Sequence, residues 1–175
     1  MKYCFFDSDI SDSNPYAEYD IIGYKYEQLI KTCCKYCCYL SLTFMNENVL
    51  LIKELEPYSV CGDCLGFDYS VNYSNGFGTK PFKKYYKVSK EVCDILIKHT
   101  DRIFSWIGNS EYNNPEDPTF YRADGTLFFY SVIHEGVCVI SPNSDENIDY
   151  IISDPLWIPK SKLKDGYWDS YLKLY

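Results

Sequence analysis

The side chains best suited to chemistry lie between Asn114 and Gly136, where Glu116, Asp117, Arg122, His134 and Glu135 occur within one short stretch. Carboxylates near a histidine and an arginine are the parts of general acid–base catalysis. His134 would be the base, Glu116, Asp117 or Glu135 would orient it, and Arg122 would hold an anion. The same residues also suit a structural role, in which Glu116 or Asp117 caps backbone amides and pairs with Arg122, holding a loop to a hairpin. The structural role is favoured, because no nucleophile motif, phosphate loop or H-E-x-x-H accompanies the group: Glu135 is followed by Gly136-Val137-Cys138. The polar cluster is therefore a candidate contact site with no catalytic residue assigned. His99, at the end of a helical pattern, suits the C-terminal dipole and needs no functional explanation.

Nine cysteines offer a second chemistry. Cys34-Lys35-Tyr36-Cys37 and Cys61-Gly62-Asp63-Cys64 are two C-x-x-C pairs, whose four thiolates have the count and spacing of a tetrahedral zinc site. A C-x-x-C pair at a helix N-terminus can alternatively act as a redox couple. Against both, Ile30, Cys33, Cys34, Cys37 and Cys38 recur at i, i+3, i+4, i+7 and i+8, the apolar stripe of a helix facing a core, and cysteine buries well. The expectation is structural cysteines on this helix and no cofactor. Cys61 and Cys64, among Pro57, Gly62 and Gly66, belong to a loop and are the more reactive pair.

The elements that must position these residues follow from hydrophobic period. Lys2 to Phe6 reads as a strand, about Tyr26 to Cys38 as a helix, and Tyr39 to Phe44 as a half-buried strand. Val49 to Leu55 fits either a helix or a strand and ends at Pro57. Phe67 to Tyr73 and Phe82 to Val88 have the composition of a strand pair around Asn75-Gly76-Phe77-Gly78. Ser89 is the expected cap of the clearest helix, whose Val92, Ile95, Leu96, Ile103 and Ile107 recur up to Gly108. After a polar loop from Asn109 to Pro118, Thr119 to Ala123 and Thr126 to Ile133 flank Asp124-Gly125, predicting a hairpin with a type I′ turn. Val137 to Ile140 gives a further strand, and Trp157, Tyr167 and Trp168 are expected to anchor the tail. The result is an α+β fold, a single domain over residues 1–175 with a mainly antiparallel sheet and two principal helices packed against it.

Composition bounds the partners. With 46% hydrophobic and 18% aromatic residues, the 175-residue chain has enough apolar material for one core. Its net charge of −8 repels phosphate backbones and anionic lipid, so nucleic acid and membrane are not expected partners, whereas a basic protein would be attracted. The start, Met1-Lys2-Tyr3-Cys4-Phe5-Phe6-Asp7, lacks the pattern of a secretory signal, and the odd cysteine count suits reduced thiols in the cytoplasm.

The order of features carries one further implication. Tyr39-Leu40-Ser41-Leu42-Thr43, a long helix ending in Phe104-Ser105-Trp106, then Asn114-Pro115-Glu116-Asp117-Pro118-Thr119-Phe120-Tyr121-Arg122 and Ser131-Val132-Ile133-His134-Glu135-Gly136 resemble a group of small acidic bacterial proteins of uncharacterised function. That group is similar in size, acidity and lack of catalytic signatures to immunity proteins, which bind and neutralise a cognate toxin. The resemblance implies a non-enzymatic protein-binding module with an acidic, tyrosine-rich surface, and it transfers no catalytic residue. The alternatives are a small enzyme or ligand-binding protein using Glu116, Arg122 and His134, or a zinc protein using the four C-x-x-C cysteines.

Overall fold

The computed structural model describes residues 2–6, 20–45, 49–65, 81–106, 114–133 and 136–163. Among them, eight strands form one sheet: β1 (Tyr3–Phe6), β2 (Tyr39–Phe44), β3 (Ser59–Val60), β4 (Phe82–Lys87), β5 (Glu116–Tyr121), β6 (Leu127–Val132), β7 (Val137–Ile140) and β8 (Ile158–Pro159). Their order is β3-β4-β2-β5-β6-β7-β1-β8, and every neighbouring pair is antiparallel. The helices are α1 (Tyr24–Tyr36), α2 (Leu50–Leu55), α3 (Gly62–Leu65), α4 (Lys90–His99) and α5 (Asp149–Ile152). The fold is α+β, with α1 and α4 as its two long helices. None of the helices among the described residues is long and apolar enough to cross a membrane.

α1 buries Tyr26, Leu29, Ile30 and Cys33 at helical spacing, and Cys37 just past its end continues the stripe. Cys38 departs from the expected stripe: the chain is already extended at Cys37, and the exposed Cys38 donates its N–H to the Tyr121 carbonyl at 2.9 Å. The ambiguous segment after Val49 is helical, because Leu51, Ile52 and Leu55 bury one face before a 3₁₀ turn carrying Pro57 ends it.

α4 is capped as expected, with Ser89 Oγ accepting from Val92 N at 3.3 Å. It stops at His99, well short of the predicted Gly108. Thr100 is extended, and the chain turns to pair with the segment entering α1, through an Ile22–Arg102 bridge and a Gly23 N–Asp101 O bond of 2.7 Å. Ile103 and Trp106 are fully buried all the same. They look helical in sequence because a folded-back turn returns them to the same core. There Trp106 Nε1 donates to Tyr26 Oη at 3.2 Å, and that hydroxyl donates to the Leu96 carbonyl at 3.2 Å, joining α1, α4 and the turn. Each large apolar side chain buried in this way contributes about 1.5–3 kcal/mol.

Two bulges shape the centre of the sheet. Between β2 and β5, Ser41 faces Thr119 but Thr43 faces Glu116, so β5 carries one extra residue near Asp117-Pro118. Asp117 has φ +52, a conformation that aspartate tolerates better than most residues. Its Oδ1 accepts from Ile133 N at 2.8 Å, and Ser131 Oγ donates to the Pro118 carbonyl at 3.1 Å, so the disrupted ladder is satisfied by side chains. On β6, Phe128 is the extra residue, which lets both Phe128 and Phe129 enter the core.

The β5–β6 hairpin is present with a different turn. Arg122 N bonds Thr126 O at 2.9 Å, Gly125 N bonds Arg122 O at 3.0 Å, and in this turn only Gly125 has positive φ, +82. That is a three-residue loop closed by a left-handed glycine in place of a type I′ pair. Asp124 Oδ1 holds it by accepting from Thr126 N and Oγ1 at 3.0 and 2.7 Å. The expected strand Phe67–Tyr73 and the anchors Tyr167 and Trp168 lie outside the described residues, while Trp157 is buried in the main core. β4 pairs on its two sides with β2 and β3.

Candidate functional site

Arg122 lies at the hairpin end of β5, and the carboxylate that meets it is Glu146. The expected partners Glu116 and Asp117 are at the opposite end of the strand, where Glu116 is fully buried. The strand that separates them is about 20 Å long at ~3.4 Å per residue. His134 and Glu135 lie outside the described residues. The structure thus gives the predicted polar residues two separate locations.

At the first, Arg122 Nε and Nη2 form a fork on Glu146 Oε1 and Oε2 at 2.6 and 2.5 Å. Nη1 donates to Leu127 O at 2.7 Å and Thr126 Oγ1 at 3.2 Å, and Nη2 also donates to Ser141 O at 2.6 Å. All five guanidinium hydrogens are spent, above the Phe128 ring at 5.3 Å. Burial alone would raise the Glu146 pKa, but hydrogen bonds from Arg122 and the Asn143 amide outweigh it and hold the carboxyl below its ordinary value. This is a clamp between the hairpin and the loop following β7, with no donor left for a ligand. Glu146 escaped sequence reasoning because it stands among ordinary acids of a polar tail.

At the second, register places side chains in rows on the sheet face turned away from α1 and α4. Lys83, Thr43 and Glu116 form one row, and Tyr85, Ser41 and Thr119 the next. Ser41 Oγ and Tyr121 Oη are 3.1 Å apart, and Thr119 Oγ1 donates to the Asp117 carbonyl at 3.0 Å. Thr43 Oγ1 is buried and has no hydrogen-bond partner among the described residues. Burial pushes the Lys83 ammonium down to about 8. A cleft of about 260 Å³ adjoins this row, lined by Ser59, Val60, Gly62, Lys83, Lys84 and Tyr85. Lys83 and Thr43 were not singled out from the sequence, where each is an ordinary strand residue.

The cysteines also separate. Cys34 is on α1, which packs over β6, and Cys37 is just past the end of that helix, whereas Cys61 follows β3 at the sheet edge; β3 is four strands from β6, roughly 19 Å at ~4.8 Å per strand. These three thiols do not converge as tetrahedral zinc ligands must, and no group of three metal-ligating side chains occurs among the described residues. The Cys64 side chain lies outside the described residues. Burial raises the thiol pKa of Cys33 and Cys37, as expected for core cysteines.

His99, at the C-terminus of α4, is held by Asn114. Because Asn114 Nδ2 donates to the Ser105 carbonyl at 2.9 Å, its Oδ1 accepts from His99 Nε2–H at 3.0 Å. Burial lowers the His99 pKa, so the ring is neutral and adds no charge to the helix end.

A different surface is exposed. Tyr24 on α1 and Tyr150 on α5 are 64% and 51% accessible, and their rings meet edge to face at 5.9 Å. Ile22, just before α1, is also exposed. Lys25 is paired with Asp154 at 2.6 Å and Arg102 with Asp101 at 3.2 Å, while Asp149 beside Tyr150 is exposed. Comparison of the chain with protein-family models, with curated proteins and with solved structures finds no match in any of the three.

Proposed function

We propose that the protein is a non-enzymatic protein-binding module, immunity- or inhibitor-like, whose partner is a basic protein such as a toxin. The observation that carries this reading is the exposed Tyr24–Tyr150 pair, two large aromatic rings held against each other at the surface by two different helices. Tyrosine gives large contact area at low entropic cost and is enriched at interface centres. The nearby cations Lys25 and Arg102 already carry acidic partners, and the whole chain has a charge of −8, which would steer a basic partner toward it. The clamped state of Arg122 supports the same reading, because the anion-binding role of the enzyme alternative needs donors that are already occupied.

The test is a photo-crosslinking residue at position 150, with the same residue at the exposed Lys90 as control, in the native host. Position 150 is expected to capture one basic protein that position 90 does not. With that protein in hand, Tyr24→Ala/Tyr150→Ala should weaken binding by at least about 30-fold without lowering the melting temperature. Added salt should slow association. Equal capture at both positions, or a double variant that binds normally, refutes the proposal.

A further inference from the structure

We propose that the cleft between α2 and β4 binds a small monocarboxylate with an apolar body, held by Lys53, Lys84 and the Tyr86 hydroxyl. The cleft has a volume of about 420 Å³ and is lined by Ile52, Lys53, Glu56 and Lys84. Ligand pockets run from about 300 to 1,000 Å³, so it has room for a compact ligand, whereas the cleft of about 260 Å³ beside Lys83 falls short. The site shares no residue with the Tyr24–Tyr150 surface and does not rest on the reading of that surface.

Both walls follow from local geometry. Glu56 keeps helical dihedrals at the end of α2, φ −52 and ψ −39. It therefore stands beside Ile52, four residues back, and Lys53, three residues back, on one side of the helix. On β4, Lys84 and Tyr86 are alternate residues, paired with Leu42 and Leu40 of β2. Both leucines are fully buried in the core under the helices, so Lys84 and Tyr86 point to that same side of the sheet. Ile52 and the methylene stems of the lysines supply apolar surface, and the ammonium groups supply charge.

The same face carries an unsatisfied donor. Tyr86 is fully buried, and its hydroxyl has no hydrogen-bond partner among the described residues. Phenylalanine would fill the site without stranding a hydroxyl, so packing alone does not explain tyrosine there. Ser59, directly opposite Tyr86 on β3, follows the 3₁₀ turn that carries Glu56, which sets that turn beside the ring. Burial raises the pKa of the hydroxyl and the Glu56 charge raises it further, in keeping with this placement. The phenol is thus a neutral donor at neutral pH.

Glu56 holds its place weakly. Its Oε2 lies 3.3 Å from Lys84 Nζ, with the two side chains 60% and 30% exposed, and such exposed pairs contribute little. Lys53 makes no ion pair among the described residues. Two ammonium groups against one carboxylate leave one net positive charge, which matches a monoanion and not a phosphate dianion. A ligand carboxylate that replaces Glu56 at Lys84 meets Lys53 across the cleft and accepts from Tyr86 Oη, while its apolar body covers Ile52.

Octanoate and benzoate are titrated into the full chain by isothermal calorimetry, with octanamide, acetate and inorganic phosphate as comparisons. One saturable site is expected for octanoate or benzoate, at least about tenfold tighter than for the three comparisons. Lys53→Gln/Lys84→Gln should weaken it by about tenfold or more, and Tyr86→Phe by about tenfold without lowering the melting temperature. Lys90→Gln, at an exposed position on α4, should leave it unchanged. An octanoate analogue carrying a diazirine should crosslink to α2 or β4, as mapped by mass spectrometry. No saturable binding of either carboxylate, equal affinity for octanamide or phosphate, crosslinks confined to other elements, or unchanged affinity in the double lysine variant or in Tyr86→Phe overturns the assignment.

Discussion

Replacing Arg122 by methionine tests the reading of the clamp. The substitution leaves the Glu146 side chain, 7% exposed, without its counter-charge, and removes the Arg122 donors from the carbonyls of Leu127 and Ser141. Removing one partner of a buried pair costs about 3–5 kcal/mol. Against a total stability of roughly 5–15 kcal/mol for a domain, this is a large fraction. At about 2–4 °C per kcal/mol for a chain of this size, the melting temperature should fall by roughly 6–20 °C. Urea unfolding followed by circular dichroism gives the free energy directly. Arg122→Met/Glu146→Leu should recover most of the loss, because an apolar pair no longer strands a charge.

The clamp also sets an acid limit. The Glu146 pKa is lowered in the fold, so its contribution is complete above the ordinary value of 4.5 and is lost as pH falls toward the lowered one. That acid sensitivity should be reduced in the double variant. A loss below about 1 kcal/mol in Arg122→Met, typical of solvent-exposed pairs, would refute the reasoning.

Lys83 should show a pH trend of the same sign in an alkaline window: its pKa of about 8 lies below the ordinary 10.5, so the unfolded chain holds an extra proton between these values and stability rises with pH across that window. Urea midpoints should show this slope in the native protein and not in Lys83→Met, and an equal slope in both would contradict the assignment. Thr43→Val and Tyr86→Phe each remove a buried hydroxyl that has no partner among the described residues and should be neutral or stabilising by up to about 1 kcal/mol in urea titrations. A cost above that would mean the hydroxyl is used. Gly62→Ala would place a Cβ 2.5 Å from the Tyr85 ring and should cost about 1–3 kcal/mol by overpacking, measured as a fall in melting temperature; an unchanged value would mean that the ring moves freely.

Local pattern was enough to place α1, β2, the Ser89 cap and a turn at Asp124-Gly125, because each depends on side chains a few residues apart. Period alone misjudged the end of α4. Ile103 and Ile107 continue its spacing, but the termination comes from Thr100 and from pairing with Ile22, far off in the chain. The candidate sites depended still more on distance. Glu146 was chosen for Arg122 by the way the loop after β7 folds onto the hairpin, and the bulge at Asp117 moved Glu116 into a row with Thr43 and Lys83. Hydrophobic period is written residue by residue in the chain and so is visible there. The pairing of polar groups is set by which backbone segments the packed core brings within hydrogen-bond reach, and that becomes defined only when the sheet and its helices assemble.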